Sequence, residues 1–263
     1  PGGRPPTTAM KVMAHVRTKA GLPLAISPIF PNEIVEGKQH KRTRMGYRLD
    51  ELAELDRISE DDFQIDRILC RIDANQSPWS FFCHARDLPT FKHITEVDVL
   101  VELGSQDDQA NSIRAAEALL GSTLCPHVRV YFDPLVDMDR TMDVSHGLLD
   151  GMCNPRPAFH VLRCLNTILF SGATEPHTMH PSGDPSLLVS TDQKTTFALG
   201  VPNSSRLSRR HVIEDLPDWP PQRKLRVYNL VDGTVEKWSH AEAVVALDRE
   251  LSDQLILLEI ARE

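Results

Sequence analysis

The sequence predicts an α/β fold: four strand–helix units around a parallel sheet, then a small antiparallel β-domain. Three observations predict it. Apolar runs beginning at Leu24, Phe63, Val97 and His127 alternate with stretches of helical spacing, and parallel neighbours need crossover connections, so the alternation implies a parallel sheet with helices outside it. Polar residues gather where those strands end, at Asp73-Ala-Asn75, at Glu102 and from Asp133 to Arg140. After Ser171 the texture changes to short runs separated by turn signals, the pattern of antiparallel strands in a β-sandwich.

Taken in order, Pro1 to Thr8 is Pro/Gly-rich and is expected to be a flexible end. Met10, Val12, Met13 and Val16 recur at helical spacing, and Gly21-Leu22-Pro23 stops that helix. Leu24 to Phe30 reads as a short strand interrupted by Pro28. The basic cluster from Lys38 to Arg44 fits contact with an anionic ligand or partner, but no aromatic residue is interleaved with it and a solvated loop is the favoured reading. Leu49, Leu52 and Leu55 support a helix over Tyr47 to Ile58, and Phe63 to Ile72 reads as a strand. That strand ends in Asp73, Asn75 and Trp79. Such residues suit a sugar, whose apolar face stacks on an aromatic ring while its hydroxyls need fixed acceptors; a capping Asp or Asn beside a packed Trp is the competing reading. Ser80 to His93 is expected to be helical.

Val97 to Leu169 organises the chain. Val97, Val99, Leu100 and Val101 form an apolar run closed by Glu102 and broken by Gly104-Ser105, the handover from a buried parallel strand to a loop. Gln109 to Leu120 carries Ile113, Ala116, Leu119 and Leu120 at helical spacing, with Gly121 as the expected stop. The strand from His127 to Phe132 then empties into a long polar loop, and a last helix is expected with Asn154 as N-cap and Pro155 at its first position. Beyond it, Ala173 to Pro185 reads as a linker. Strands are expected at Leu187–Ser190, Thr195–Leu199, Leu225–Leu230, Val235–Trp238 and Gln254–Ile260, with a turn at Asp232-Gly233; Ala241 to Leu247 fits a helix or a strand.

The order E-L-G-S-x-D-D-Q-A, a helix, V-R-V-Y-F-D-P-L-V-D-M-D-R, then G-L-L-D-G-x-x-N-P-R-P-A resembles the last two β/α units of a (β/α)8-barrel glycoside hydrolase, in the retaining clan that includes β-xylosidase and α-L-iduronidase types. The resemblance covers about a quarter of the chain. It implies that residues 1–172 are the second half of such a barrel, with the first four strands absent, and that 173–263 are a linker and a β-sandwich. A complete barrel takes roughly 250 residues by itself.

Family membership would make Glu102 the nucleophile. Val101 stands where the family has a hydroxyl residue, a departure from the pattern. The acid/base in the clan is Asn-Glu after the fourth strand; Asn32-Glu33 makes Glu33 the candidate, although by strand count it follows the fifth equivalent. Asp137, Asp139 and Arg140 would line the sugar site or brace it. Retaining hydrolysis needs two carboxyl groups about 5–5.5 Å apart, one ionised to attack and one protonated to donate. The alternative is a glycosidase-derived subunit that has lost its activity and serves a larger protein assembly.

Other classes fall away. The 263 residues carry a net charge of -8, which argues against general nucleic-acid or membrane-surface binding. No apolar run approaches the roughly 20 residues that span a bilayer, and no signal-peptide pattern is present. The acids near Asp137 and His146 are scattered and form no metal cage, so no metal or cofactor is expected. No Gly-x-Ser-x-Gly elbow, phosphate loop or dinucleotide fingerprint occurs. The five cysteines, odd in number and without ligand spacing, read as reduced structural thiols and favour a reducing compartment. Half a barrel leaves raw sheet edges, so a protein partner or second chain completing it is expected beside the carbohydrate substrate.

Overall fold

A computed structural model describes residues 6–21, 25–30, 47–48, 67–85, 96–125, 128–140, 143–170, 178–179, 187–191, 195–200, 224–239, 241–242 and 255–261. The chain forms two compact units: Pro1–Gln76, His84–Glu102 and His127–Asp133 make the first, and Ser77–Cys83, Leu103–Pro126 and Pro134–Glu263 the second.

The first unit contains α1 (Pro6–Ala20) and a five-stranded, all-parallel sheet of β1 (Ala25–Phe30), β2 (Tyr47–Arg48), β3 (Arg67–Ile72), β4 (Glu96–Glu102) and β5 (Val128–Asp133), in the order β2-β1-β3-β4-β5. The four expected strands therefore lie side by side in chain order. Two expectations are corrected here. Tyr47 and Arg48 belong to a strand on the edge beside β1 rather than to a helix, because parallel pairing to Ile29 and Phe30 outweighs local propensity; the rest of the expected helix lies outside the described residues. Pro6 to Thr8 are helical rather than a loose end, since Pro is tolerated at the first helical position, where its missing N–H has no partner to lose. The Gly21 N–H closes α1 on the Arg17 carbonyl. Val12 and Val16 remain 46% and 42% exposed, so the apolar spacing of α1 does not bury them. In β1 the register shifts between Ile26 and Ile29, across Ser27-Pro28, as expected of a residue that cannot donate to the ladder.

Register makes the sheet two-faced. Cross-strand partners point the same way, so the pairings Ile68↔Val97, Cys70↔Val99 and Ile72↔Val101, continued as Val99↔Val130 and Val101↔Phe132, build one apolar face. Ile68, Cys70, Ile72, Val99 and Val101 are buried. The opposite face carries Arg67 and Arg71 on β3, Glu96, Asp98 and Glu102 on β4, and Arg129, Tyr131 and Asp133 on β5. A parallel strand buried on both faces would read as a continuous apolar run. β3 instead alternates.

The second unit holds α2 (Pro78–Ala85) as far as Cys83, α3 (Asp108–Ser122), α4 (Pro157–Phe170), a hairpin of β6 (Met138–Arg140) and β7 (Asp143–Ser145), and a six-stranded antiparallel sheet. That sheet comprises β8 (Thr178–Met179), β9 (Leu187–Thr191), β10 (Thr195–Gly200), β11 (Leu225–Asn229), β12 (Val235–Trp238) and β13 (Ile256–Ala261), ordered β12-β11-β13-β10-β9-β8. The expected strands are all present, and β8 adds one inside the expected linker. Central β10 and β13 are buried on both faces through Phe197, Ala198, Leu199, Leu257 and Leu258. Asn229 accepts the N–H groups of Val231 and Asp232 to turn β11 into β12 at Gly233, whose φ is +73°.

The helices of this unit correct two boundaries. Gly121 does not stop α3, which runs on to Ser122; the missing side chain matters for packing, since a Cβ there would meet the Phe82 ring at 2.6 Å. α4 starts at Pro157, not at Asn154-Pro155, because Asp150 already takes up the Asn154 N–H. The long polar loop contains the β6–β7 hairpin. α3 and α4 pack together, with Ala158, Val161, Leu165 and Leu169 forming the buried stripe of α4 at helical spacing.

Candidate functional site

At the carboxyl ends of β3, β4 and β5, three carboxylates gather around one guanidinium. The Arg71 Nη2 lies 3.1 Å from Glu102 Oε2 and 4.0 Å from Asp133 Oδ2, and its Nε donates to Asp73 Oδ1 at 3.3 Å. Pairing explains the assembly: Glu102 and Asp133 are register partners at the last rung of β4 and β5, while Arg71 is the last outward residue of β3. Arg71 and Glu102 are about a quarter exposed, with side-chain values of 24% and 23%, and Asp133 reaches 43%. Burial works against the Arg71 cation, but the Glu102 hydrogen bond and charge, helped by Asp73 and Asp133, hold it above its ordinary pKa. Asp73 is further fixed by a turn in which its N–H donates to Gln76 Oε1.

Two of the expected residues, Glu102 and Asp73, are thus brought to one cation, together with Asp133, which the sequence shows only as the start of a polar strand end, and Arg71, which was not singled out from sequence. The signal for Arg71 was present in the alternation Arg67-x-x-x-Arg71 within an otherwise apolar strand. Asn75 is exposed in the turn after β3. Trp79 is half-buried on the first turn of α2, in the second unit, where Ser77 Oγ accepts the Ser80 N–H as a helix cap. Capping therefore falls to Ser77 rather than to Asp73 or Asn75. Asp139 and Arg140 lie on β6, and their side chains are outside the described residues. Glu33 and the basic cluster from Lys38 to Arg44 also lie outside them.

A second constellation, inside the second unit, accounts for the most family-like phrase of the sequence. Asp137 Oδ1 accepts from the Gly147 N–H at 2.8 Å and from Arg156 Nε at 2.9 Å, while Oδ2 meets Arg156 Nη2 at 2.5 Å. Arg156 also reaches both oxygens of Asp108 at 3.3–3.4 Å, and His146 Nδ1 sits 3.2 Å from the same carboxylate. Buried Asn111 donates to the carbonyls of Ser105 and His146. The Arg156 hydrogen bond, against some opposition from burial, holds the Asp137 carboxyl below the usual carboxylate range. A Cβ at Gly147 would lie 2.7 Å from the Val136 carbonyl carbon, so only glycine fits where these loops cross. Asp150 collects the N–H groups of Met152 and Asn154. The G-L-L-D-G-x-x-N-P-R-P phrase is therefore a staple of loops, and Asp137 braces it through Gly147 and Arg156.

Glu117 holds the start of α2, accepting from the Ser77 hydroxyl at 2.9 Å; burial raises its pKa despite that bond and one from the Trp79 N–H. A cavity of about 290 Å³ lies among Asp108, Gln109, Ser112, Pro157, Asn229 and Asp232. Among the described residues no group of three or more His, Cys, Asp or Glu could hold a metal ion, and no helix is long and apolar enough to cross a membrane.

No protein-family profile matches the chain, and no curated relative does. Among solved structures the chain is weakly similar to a family 39 glycoside hydrolase from the gut symbiont Bacteroides cellulosilyticus WH2, with 12% sequence identity, a TM-score of 0.37 and coverage of 73% of this chain. The chain spans 39% of that neighbour's length.

Proposed function

We propose that this chain is the C-terminal part of a retaining glycoside hydrolase scaffold, with barrel strands five to eight within residues 1–172 and a β-sandwich within 173–263. One observation carries the reading: Glu102 closes a strand of a parallel sheet at the carboxyl end, where α/β folds bind ligands, in a cluster with Asp73, Asp133 and Arg71. In this reading Glu102 attacks the anomeric carbon, the glycosidic bond breaks, and water releases the glycosyl-enzyme. An attacking carboxylate must be ionised, and a guanidinium donor at its oxygen suits that state. Asp73 and Asp133 would accept sugar hydroxyls. Glu33 stays the proposed acid/base, with Asn75, Trp79, Asp139 and Arg140 as proposed substrate contacts, and a partner chain would supply the rest of the barrel wall.

The same ion pair favours a second reading, a catalytically inactive subunit, because a carboxylate already held by a cation can serve purely as a strand-end fastener. A panel of chromogenic glycosides separates the two. Turnover that disappears in Glu102→Gln supports the enzyme. Turnover that survives the change removes Glu102 from the mechanism, and no turnover on any member, together with a destabilised Glu102→Gln variant, selects the fastener.

A further inference from the structure

The cavity of about 290 Å³ lies inside the second unit, where the starts of α3 and α4 meet the turn from β11 to β12 and the residue before β13. At roughly 30 Å³ per water, it has room for about ten waters or one small organic molecule. Its lining divides by chemistry. Pro157, Val231 and Leu255 are apolar, Leu255 being buried and Val231 exposed at the mouth. Asp108, from the first turn of α3, and Asp232, from the β11–β12 turn, add carboxylates from two different elements. Positive charge to match them is short. Arg156 grips Asp137 at 2.5–2.9 Å and reaches Asp108 only at 3.3–3.4 Å, so one guanidinium serves two carboxylates. His146 Nδ1, 3.2 Å from Asp108, adds charge only when protonated. Asp232 accepts from a neutral amide, the Asn229 Nδ2 at 3.0 Å, and among the described residues no cation pairs with it.

An ionised carboxylate accepts hydrogen bonds and donates none. The Ser112 hydroxyl, also in the lining, gives its proton to the Asp108 carbonyl at 2.6 Å. The polar part of the lining is therefore rich in acceptors and negative, and it suits a guest that brings donors and positive charge. A bare metal ion is a poor match, since a hard cation takes roughly six to eight oxygens in a cage and here two acids share the lining with three apolar side chains. An organic cation uses both kinds of wall. We infer that this cavity binds a primary ammonium or guanidinium group on a short alkyl stem, with the cation at Asp108 and Asp232 and the stem on Pro157, Val231 and Leu255. A free amine and a lysine or arginine side chain of another protein share that chemistry. The inference does not rest on the glycoside reading, and its test uses no glycoside.

The test is methyl NMR of the full chain titrated with pentylamine, pentanol and pentanoate, three guests that share a stem and differ in charge. Pentylamine is expected to shift the Val231 and Leu255 methyls with a dissociation constant on the order of 1 mM, and to leave Val99, buried in the parallel sheet, unshifted. Pentanol is expected to bind about 5-fold more weakly, and pentanoate more weakly again. Asp232→Lys, on an exposed turn outside the loop staple, is expected to weaken pentylamine by about 10-fold and to strengthen pentanoate. Three results overturn the inference: no saturable shift from pentylamine up to about 20 mM, pentanol or pentanoate binding as tightly as the amine, or a folded Asp232→Lys protein that binds pentylamine unchanged. Should the variant misfold, the three guests on the wild type decide alone. Nα-acetyl-lysine methylamide then distinguishes the sources. Binding as tight as that of pentylamine supports a side chain of another protein as the guest, and its exclusion supports a free amine.

Discussion

Removing the Asp137 carboxylate probes the loop staple directly. Asp137→Ala deletes hydrogen bonds of 2.8 Å to the Gly147 N–H and of 2.9 and 2.5 Å to Arg156, leaving the guanidinium with Asp108 at 3.3–3.4 Å. Exposed pairs contribute about 0–1 kcal/mol, whereas stranding one member of a buried pair costs about 3–5 kcal/mol. With Asp137 and Arg156 side chains only 18% and 21% exposed, the expected loss sits near the lower end of the buried range, about 3 kcal/mol. Asp137→Asn keeps an acceptor for Gly147 and loses the charge, so about 1–2 kcal/mol is expected. Because the folded pKa of Asp137 is depressed, the stabilisation is fully present above the unfolded carboxylate value of about 3.9 and is lost as pH falls through the folded one. The gap between wild type and variant should therefore be level from about pH 5 to 8 and close below about pH 4. Urea unfolding gives the size of the gap, and exchange at the Gly147 amide reports the same opening locally without assuming that both units unfold together. A loss under about 0.5 kcal/mol, or a gap that widens toward acid, would refute the assignment of Asp137 as a brace.

Two further outcomes follow from packing and burial. Gly121→Ala should destabilise by about 1–2 kcal/mol in thermal or urea unfolding, because the clash with the fully buried Phe82 ring exceeds the gain in helix propensity. Phe82→Leu in that background should recover part of the loss, and a stabilised Gly121→Ala would show that the helices give way freely. Burial pushes the Cys70 thiol up to about 12, leaving a thiolate fraction of about 10⁻⁴ at pH 8. Iodoacetamide should therefore modify exposed Cys153 promptly and Cys70 only after unfolding; equal rates would place Cys70 elsewhere.

The strands of the parallel sheet were legible because short apolar runs alternate with stretches of helical spacing, and the antiparallel strands because turn signals separate them. The two-residue strand β2 was not, since pairing to Ile29 and Phe30 specifies it and its own residues do not. The start of α4 was misplaced by one proline: Pro155 and Pro157 both fit a first helical position, and only the capture of Asn154 by Asp150 decides between them. Glu102 was legible as a strand-ending acid, but its partner was not. Arg71 is separated from it by some thirty residues, and nothing local shows that the last rungs of three strands converge on one guanidinium. Asp137 was legible as a polar loop residue, and its role depended on Arg156, which the sequence shows only as part of a proline-flanked phrase.

The path of the backbone between Gln76 and Pro134 has a consequence for how this molecule can be altered. In that span the chain changes unit at Gln76–Ser77, Cys83–His84, Glu102–Leu103, Pro126–His127 and Asp133–Pro134. Neither unit can therefore be excised as one uninterrupted piece of gene, and a truncation from any point inside that weave to either terminus removes material from both. Engineered truncations inside it should yield insoluble chains rather than a trimmed, working half.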